Sequence, residues 1–175
     1  MTRRYAIIIG AMKSGTTTLF DALAQHPQIA PSKVKEPGFF AFDSVWEKGF
    51  VWYDALYDYD PSQHQWCLEA STDYSKSPFV SNVWDRMSEN PSVEIKLIYI
   101  MRNPLHRIES HARHVQRTGR EIGRCTTIRS DHSLDAGLSA VNLAISQYAS
   151  QLDCFTVAIE RGDLHCLSLE ELRLF

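Results

Sequence analysis

Three observations predict an α/β fold, a parallel sheet with helices on both faces. A short isoleucine-rich run, Tyr5–Ile9, passes directly into a turn holding two glycines and then into a segment with an apolar stripe. A longer run, Glu94–Met101, does the same across Arg102-Asn103-Pro104. Around them, strand-like and helix-like segments alternate. That order builds a three-layer α/β/α sandwich rather than separate sheets and bundles. With 175 residues, 44% of them hydrophobic, the chain is long enough for one domain with its own core. A single domain over residues 1–175 is therefore expected.

Tyr5–Ile9 is apolar on both faces, as a buried parallel strand is. Thr16–Gln25 carries Leu19, Phe20 and Leu23 on one side and stops at His26-Pro27, which predicts a helix of about ten residues. Residues 31–62 are loop-like and dense in aromatic side chains from Phe39 to Tyr59. Core packing is the first reading of that density and the lining of an acceptor cleft the second. Trp66–Ala70 reads as a strand and Pro78–Met87 as a helix. Glu94–Met101 is the strongest strand signal, and Pro104 suits the first turn of the helix after it. In that helix Leu105, Ile108, Ala112 and Val115 form the apolar stripe, with Arg107, Ser110 and His114 opposite. Residues 117–133 are polar and aperiodic, as a mobile loop would be. Asp135 is placed to cap a further helix striped by Leu138, Val141, Ile145, Tyr148 and Leu152. Leu164–Leu169 reads as a last strand. A doubly wound sheet would normally cover it with another helix, so the sequence is expected to be incomplete at its C-terminus.

Net charge is −3 and the isoelectric point about 6.1. A general nucleic-acid binder would be strongly basic, so no nucleic-acid partner is expected, although a local basic pocket stays open. Cys67, Cys125, Cys154 and Cys166 show neither a CxxC pair nor metal-ligand spacing, and no metal is expected. The apolar run after Arg3-Arg4 is too short for the core of a signal peptide. No stretch approaches a membrane span. A cytoplasmic, reducing location without a membrane partner is the default expectation.

The chemistry is concentrated in Gly10-Ala11-Met12-Lys13-Ser14-Gly15-Thr16-Thr17. A turn between a strand and a helix N-terminus presents unpaired backbone N–H groups and the positive end of the helix dipole, both of which attract phosphate. Ser14, Thr16 and Thr17 add hydroxyls and Lys13 a cation. Mg·NTP-binding loops place lysine directly after the second glycine. Here Thr16 stands there and the lysine lies inside the loop. The strand ending at Met101 is followed by Arg102, where many NTPases place a metal-binding aspartate. The pattern is that of a P-loop-type parallel sheet whose ligand charge is balanced by protein cations.

These residues resemble the PAPS-dependent sulfotransferase family (PAPS, 3′-phosphoadenosine-5′-phosphosulfate), closest to its carbohydrate-acting and bacterial type. Gly10–Thr17 is similar to that family's 5′-phosphosulfate loop. Arg102-Asn-Pro-Leu-His-Arg107-Ile-Glu-Ser110 is similar to its R-x-P-x-x-R-x-x-S site for the 3′-phosphate. Lys35-Glu36-Pro37-Gly38-Phe39-Phe40 is similar to its K-E-x-x-F-F segment, and Glu69-Ala-Ser-Thr-Asp-Tyr74 to its E-x-[ST]-P-x-Tyr segment. Thr72 replaces the usual proline, and Ala70 replaces a lysine of the heparan-type enzymes.

The resemblance implies transfer of a sulfuryl group from PAPS, leaving PAP, to a hydroxyl or amine of a carbohydrate or small-molecule acceptor. It implies that Lys13 stabilises the leaving phosphate and that Ser14, Gly15, Thr16, Thr17 and Thr18 cradle it. Arg102 and Ser110 would hold the 3′-phosphate, with Arg107 a further contact. Glu36 is the implied base, and the histidines, His106, His111 and His114 among them, are its competitors. Two alternatives remain open: a P-loop nucleotide kinase or NTPase, and a PAP-binding fragment without activity. Oligomeric state and acceptor identity are not readable.

Overall fold

The computed structural model describes residues 3–118 and 140–172. Of the loop predicted over residues 117–133, the first two residues are helical instead; the rest of it, the Asp135 cap, Leu138 and Cys125 lie outside the described residues. Five parallel strands form one sheet in the order β2-β3-β1-β4-β5. They are β1 (Arg3–Gly10), β2 (Ile29–Pro31), β3 (Trp66–Ala70), β4 (Val93–Met101) and β5 (Leu164–Ser168). β1 lies at the centre, in register with β3 (Ile7 against Glu69) and with β4 (Ile7 against Leu97). β2 was not foreseen. It is three residues long and ends in Pro31, which only an edge strand accommodates readily.

The two faces of β1 define the two halves of the core. Ile8, with Leu68, Ala70 and Ile100, packs under Leu19 and Phe20 of α1 (Thr16–Leu23). Tyr5, Ile7 and Ile9 face the other way, into a cluster with Phe39, Phe40, Tyr53, Tyr57, Tyr74 and Phe155. Every second side chain of a strand points to the same face, so a strand apolar on both sides needs cover on both. The three-layer α/β/α expectation holds.

The aromatic segment resolves into core packing. Two short helices, α2 (Asp43–Trp46) and α3 (Gly49–Asp54), fold it back onto β1. Phe39 stacks on Tyr53 with centroids 4.5 Å apart. Its second reading, the lining of a cleft, is not what these rings do: Phe39, Phe40 and Tyr53 are fully buried.

Three helices differ from expectation. The segment predicted as a helix from Pro78 becomes α4 (Val83–Ser88), because Asn82 takes a left-handed φ of 61° immediately before it. The second helix, α5 (Pro104–Thr118), starts as predicted, with Asn103 Oδ1 accepting the Leu105 N–H at 3.0 Å. Its stripe does not: Leu105 is 74% exposed, whereas Arg107 and His111 are fully buried. This helix docks by polar contacts rather than by its apolar side. The stripe of Val141, Ile145, Tyr148 and Leu152 is real but divided between α6 (Ala140–Ala144) and α7 (Tyr148–Leu152). At the break the Gln147 N–H donates to the Ala144 carbonyl at 3.1 Å, and the Gln151 side chain donates to that carbonyl at 3.2 Å and to Ser77 O at 2.7 Å. Two further short helices, α8 (Thr156–Glu160) and α9 (Leu169–Leu172), flank β5. No helix among the described residues is long and apolar enough to cross a membrane.

Gly10 ends β1 against the 3₁₀ turn Thr72–Ser75. A Cβ there would run into Ser75 Oγ and the Tyr99 ring. Gly10→Ala is expected to lower the free energy of unfolding by about 1–3 kcal/mol, the usual penalty of overpacking. Urea unfolding measures it, and an unchanged midpoint would show that the turn gives way freely.

Candidate functional site

The phosphate-sized loop lies between β1 and α1 at the C-terminal edge of the sheet, where ligands of open α/β sheets bind. Ala11 N–H donates to Ile100 O of β4 at 2.8 Å, which pins the loop to the neighbouring strand. Gly15 occupies the N-cap position of α1 with a left-handed φ of 91°, and no side chain caps the helix. The first N–H groups of α1 are thus open to an anion. Ser14 is fully buried, and its hydroxyl has no hydrogen-bond partner. A buried orphan hydroxyl beside an uncapped helix N-terminus fits an anion that would accept from both.

Lys13 has a left-handed φ of 68°, strained for a residue with a side chain. Its ammonium meets no carboxylate among the described residues. Desolvation first, and then the charges of Arg117 and Arg102, hold its pKa below the ordinary lysine value. Cations gathered against their own repulsion mark a site for negative charge.

Arg102 follows the last residue of β4. Tyr148 Oη fixes its backbone, accepting from Arg102 N–H at 3.4 Å and donating to Arg102 O at 2.7 Å. Its guanidinium has no acidic partner among the described residues. Beyond it, Arg107 is fully buried, with no carboxylate partner among the described residues. It donates to Ser146 Oγ at 2.9 Å, Met12 O at 3.4 Å and Asn142 O at 2.8 Å, and also to Asn142 Oδ1. Desolvation lowers its pKa. Arg107 therefore joins the phosphate loop to α5 and α6.

Glu36 sits on the opposite wall, again with a left-handed φ, 54°. Its N–H donates to Ala70 O at 3.0 Å. Its carboxylate accepts from Lys35 Nζ at 2.8 Å and from Thr72 Oγ1 at 3.2 Å. Among the described residues the non-glycine positive φ angles fall at Lys13, Glu36 and Asn82. Backbone strain of this kind persists where the surroundings over-determine it, often at functional sites.

The Glu36 wall rests on a buried carboxyl. Glu69, at the end of β3, accepts from Tyr53 Oη at 2.5 Å and Ser71 Oγ at 2.6 Å, and also bonds Tyr74. Ser71 Oγ in turn accepts the Gly38 N–H at 3.1 Å. Burial raises the Glu69 pKa above the ordinary carboxyl value, against these hydrogen bonds.

One cleft of about 840 Å³ unites the walls. Lys13, Gly15, Thr16, Thr17, Thr18, Glu36, Arg102 and Ser110 all line it.

No family model matches the chain. Among curated proteins, the chain is 32% identical over 155 residues to human heparan sulfate glucosamine 3-O-sulfotransferase 6, an alignment spanning 85% of this chain and 41% of that protein. It is 36% identical over 103 residues to the membrane-associated sulfotransferase kil1 of Dictyostelium discoideum, covering 58% of this chain and 21% of the other. The chain belongs to the sulfotransferase family. Among solved structures, a sulfotransferase from Alicyclobacillus acidocaldarius superposes with a TM-score of 0.71 at 24% identity, covering 99% of this chain and 76% of that one, which shows the shared fold. The chain spans about two fifths of the length of the 3-O-sulfotransferase it matches.

In this family member, sequence reasoning had gathered most of the cleft but not all. Ser14 lies beneath the loop rather than on the cleft surface. Of the histidines on α5, His106 is exposed, His111 is buried 3.3 Å from Arg107, and His114 lines the cleft. Desolvation, then Lys13, Arg117 and Lys76, lower the His114 pKa. Asp73, Lys76, Leu169 and Leu172 also line the cleft and were missed. The charged pair had a signal, since Asp73 lies inside the Glu69–Tyr74 segment and Lys76 two residues beyond it. The leucines had none beyond an apolar spacing on a short terminal helix.

Two expectations test these walls. Arg107→Met strands several buried acceptors and should reduce stability by about 2–4 kcal/mol. A loss below 1 kcal/mol in denaturant unfolding would show that α5 docks by other means. Glu69 retains its proton in the folded state above the pH at which the unfolded chain releases it. Its contribution is complete below the unfolded value and falls as pH rises. The stability of the wild type relative to Glu69→Gln should therefore decline as pH rises above the ordinary carboxyl range, and parallel profiles would overturn the assignment.

Proposed function

We propose that this chain binds PAPS and transfers its sulfuryl group to a hydroxyl or amine of a carbohydrate or small-molecule acceptor. The observation that carries the reading is a single cleft lined by two blocks of phosphate-binding groups, Lys13 on the phosphate loop, and Arg102 after β4 with Ser110 of α5. A nucleotide phosphorylated at both its 3′ and 5′ positions calls for two such blocks, and a chain of 5′-phosphates for one. The uncapped N-terminus of α1, with Thr16, Thr17 and Thr18 on the cleft wall, suits the 5′-phosphate, and a guanidinium at the strand end suits the 3′-phosphate.

PAPS supplies an activated sulfuryl group on a phosphate leaving group. In the transfer, the bond from sulfur to the phosphate oxygen breaks, its electron pair remains on the phosphate, and a bond from sulfur to the acceptor oxygen forms. Lys13 meets the charge that grows on the phosphate, in a site already arranged for it. Glu36 takes the acceptor's proton. Thr72 and Lys35 orient its carboxylate without burying it. Leu169 lies over Gly15, close enough that a Cβ there would sit 2.8 Å from Leu169 Cδ1, and with Leu172 it offers an apolar surface for the nucleoside. A carbohydrate acceptor is supported by relatives named for glucosamine sulfation, although Ala70 departs from the heparan type. The kinase or NTPase alternative is disfavoured by the lysine within the loop and by Arg102 at the strand end.

Thermal melting tests donor binding. At PAP concentrations a hundredfold above Kd, linkage adds about 2.7 kcal/mol, a rise of roughly 5–10 °C for a domain of this size. Lys13→Ala should remove most of it. An unchanged melting curve for the wild type would sink the proposal. With labelled PAPS and a panel of sugar and phenol acceptors, Glu36→Gln should retain the PAP-induced shift and lose transfer.

A further inference from the structure

Resting on that reading, we propose that Lys76 is a second cation of the transfer site, holding the sulfuryl group of the donor between Lys13 and Glu36, with Asp73 orienting its ammonium. Lys76 Nζ lies 2.6 Å from Asp73 Oδ1, and the two side chains are only 4% and 5% exposed. Both nevertheless line the cleft.

The pair is unlike the other ion pairs of the molecule. Arg4–Glu94, Lys33–Asp58 and Arg113–Glu109 are solvated on the surface, where such contacts contribute little. Withdrawing both charges from water is a poor way to gain stability, because desolvation offsets the attraction. A buried pair on the wall of a ligand cleft is better explained by what it presents to the ligand. Asp73 engages one of the three ammonium protons. The other two have no partner among the described residues.

Its place follows from the segment that carries it. Thr72, four residues earlier, donates to Glu36 Oε2 at 3.2 Å. Ser75, one residue earlier, packs on Gly10 at the start of the phosphate loop. The turn Thr72–Ser75 therefore bridges the base and the phosphate loop, and Lys76 leaves it at the junction. Lys76, Lys13 and His114 line the same cleft, and both lysines act on the charge state of His114. A group passing from the phosphate at Lys13 to an acceptor at Glu36 crosses in front of Lys76. The sulfuryl oxygens carry negative charge throughout the transfer, so a cation there is useful in the bound donor and in the transition state alike.

PAP lacks the sulfuryl group and PAPS carries it, so calorimetric titration of the full chain with each ligand isolates this contact without a known acceptor. Removing one partner of a buried pair strands the other charge, so the deciding variant is the double D73N/K76M, with K76M and K76R beside it. The double variant is expected to bind PAP within about twofold of wild type and PAPS about tenfold more weakly, as for one charge-assisted contact. K76R, which keeps the charge, should recover most of the PAPS affinity. Equal PAPS binding by wild type and the double variant overturns the proposal. So does an equal loss of PAP and PAPS affinity with a lowered melting temperature, which would make the pair a structural staple. A wild-type chain that binds neither ligand would refute the donor assignment itself, an outcome distinct from both.

Discussion

Positive charges that repel one another are held together at the C-terminal edge of the sheet, and much of the architecture serves that placement. Desolvation, with the charges of Arg117 and Arg102 behind it, holds Lys13 below the ordinary lysine pKa, and desolvation, with Lys13, Arg117 and Lys76 behind it, lowers His114. Nothing local favours this. The loop is fixed by its hydrogen bond to β4 and by the close approach of Gly10 to the Thr72–Ser75 turn. Arg102 is fixed by Tyr148, and the loop's far side by Arg107. A protein that concentrates like charge in a cleft without neutralising it is built for an anion to complete.

The supports are themselves buried polar groups, each with a different solution to desolvation. Arg107 is satisfied by neutral oxygens of three residues, Met12, Asn142 and Ser146. Glu69 is satisfied by hydroxyls and stays inclined to hold its proton. Asp73 accepts one of the three ammonium protons of Lys76. Interior polar groups are tolerated only when bonded, so each of the three fixes the segments that bond it. Arg107 ties α5 and α6 to the phosphate loop, Glu69 ties the aromatic segment to the Glu36 wall, and the Lys76–Asp73 pair lies where the two walls meet. The aromatic core beneath them, with Phe39 stacked on Tyr53, gives the Glu36 wall a rigid floor, as a group that must meet a reacting atom requires.

Legibility in the sequence followed the range of the interaction. Tyr5–Ile9, Trp66–Ala70 and Glu94–Met101 were readable because a strand buried on both faces must be apolar at every position. The phosphate loop was readable because its glycines, lysine and hydroxyls are contiguous. Leu105–Val115 was misread because helical periodicity reports the apolar side and assumes it is the buried one. In α5 the buried side carries Arg107 and His111, paid for by hydrogen bonds from residues 12, 142 and 146 that no local pattern announces. β2 was missed because three residues at an edge carry too little pattern.

The sequence alone determined the layer order, the phosphate-binding turn, the second cationic block and the candidate base, since each resides in adjacent residues whose chemistry is intrinsic. Only the tertiary structure decided that these blocks share one cleft, that the aromatic residues lie under it rather than around it, and that Asp73, Lys76, His114, Leu169 and Leu172 belong to it. The physical reason is that a parallel sheet brings the ends of β1, β3, β4 and β5 to one edge. Side chains as far apart in the chain as Lys13 and Leu172 thereby become neighbours in a single electrostatic field.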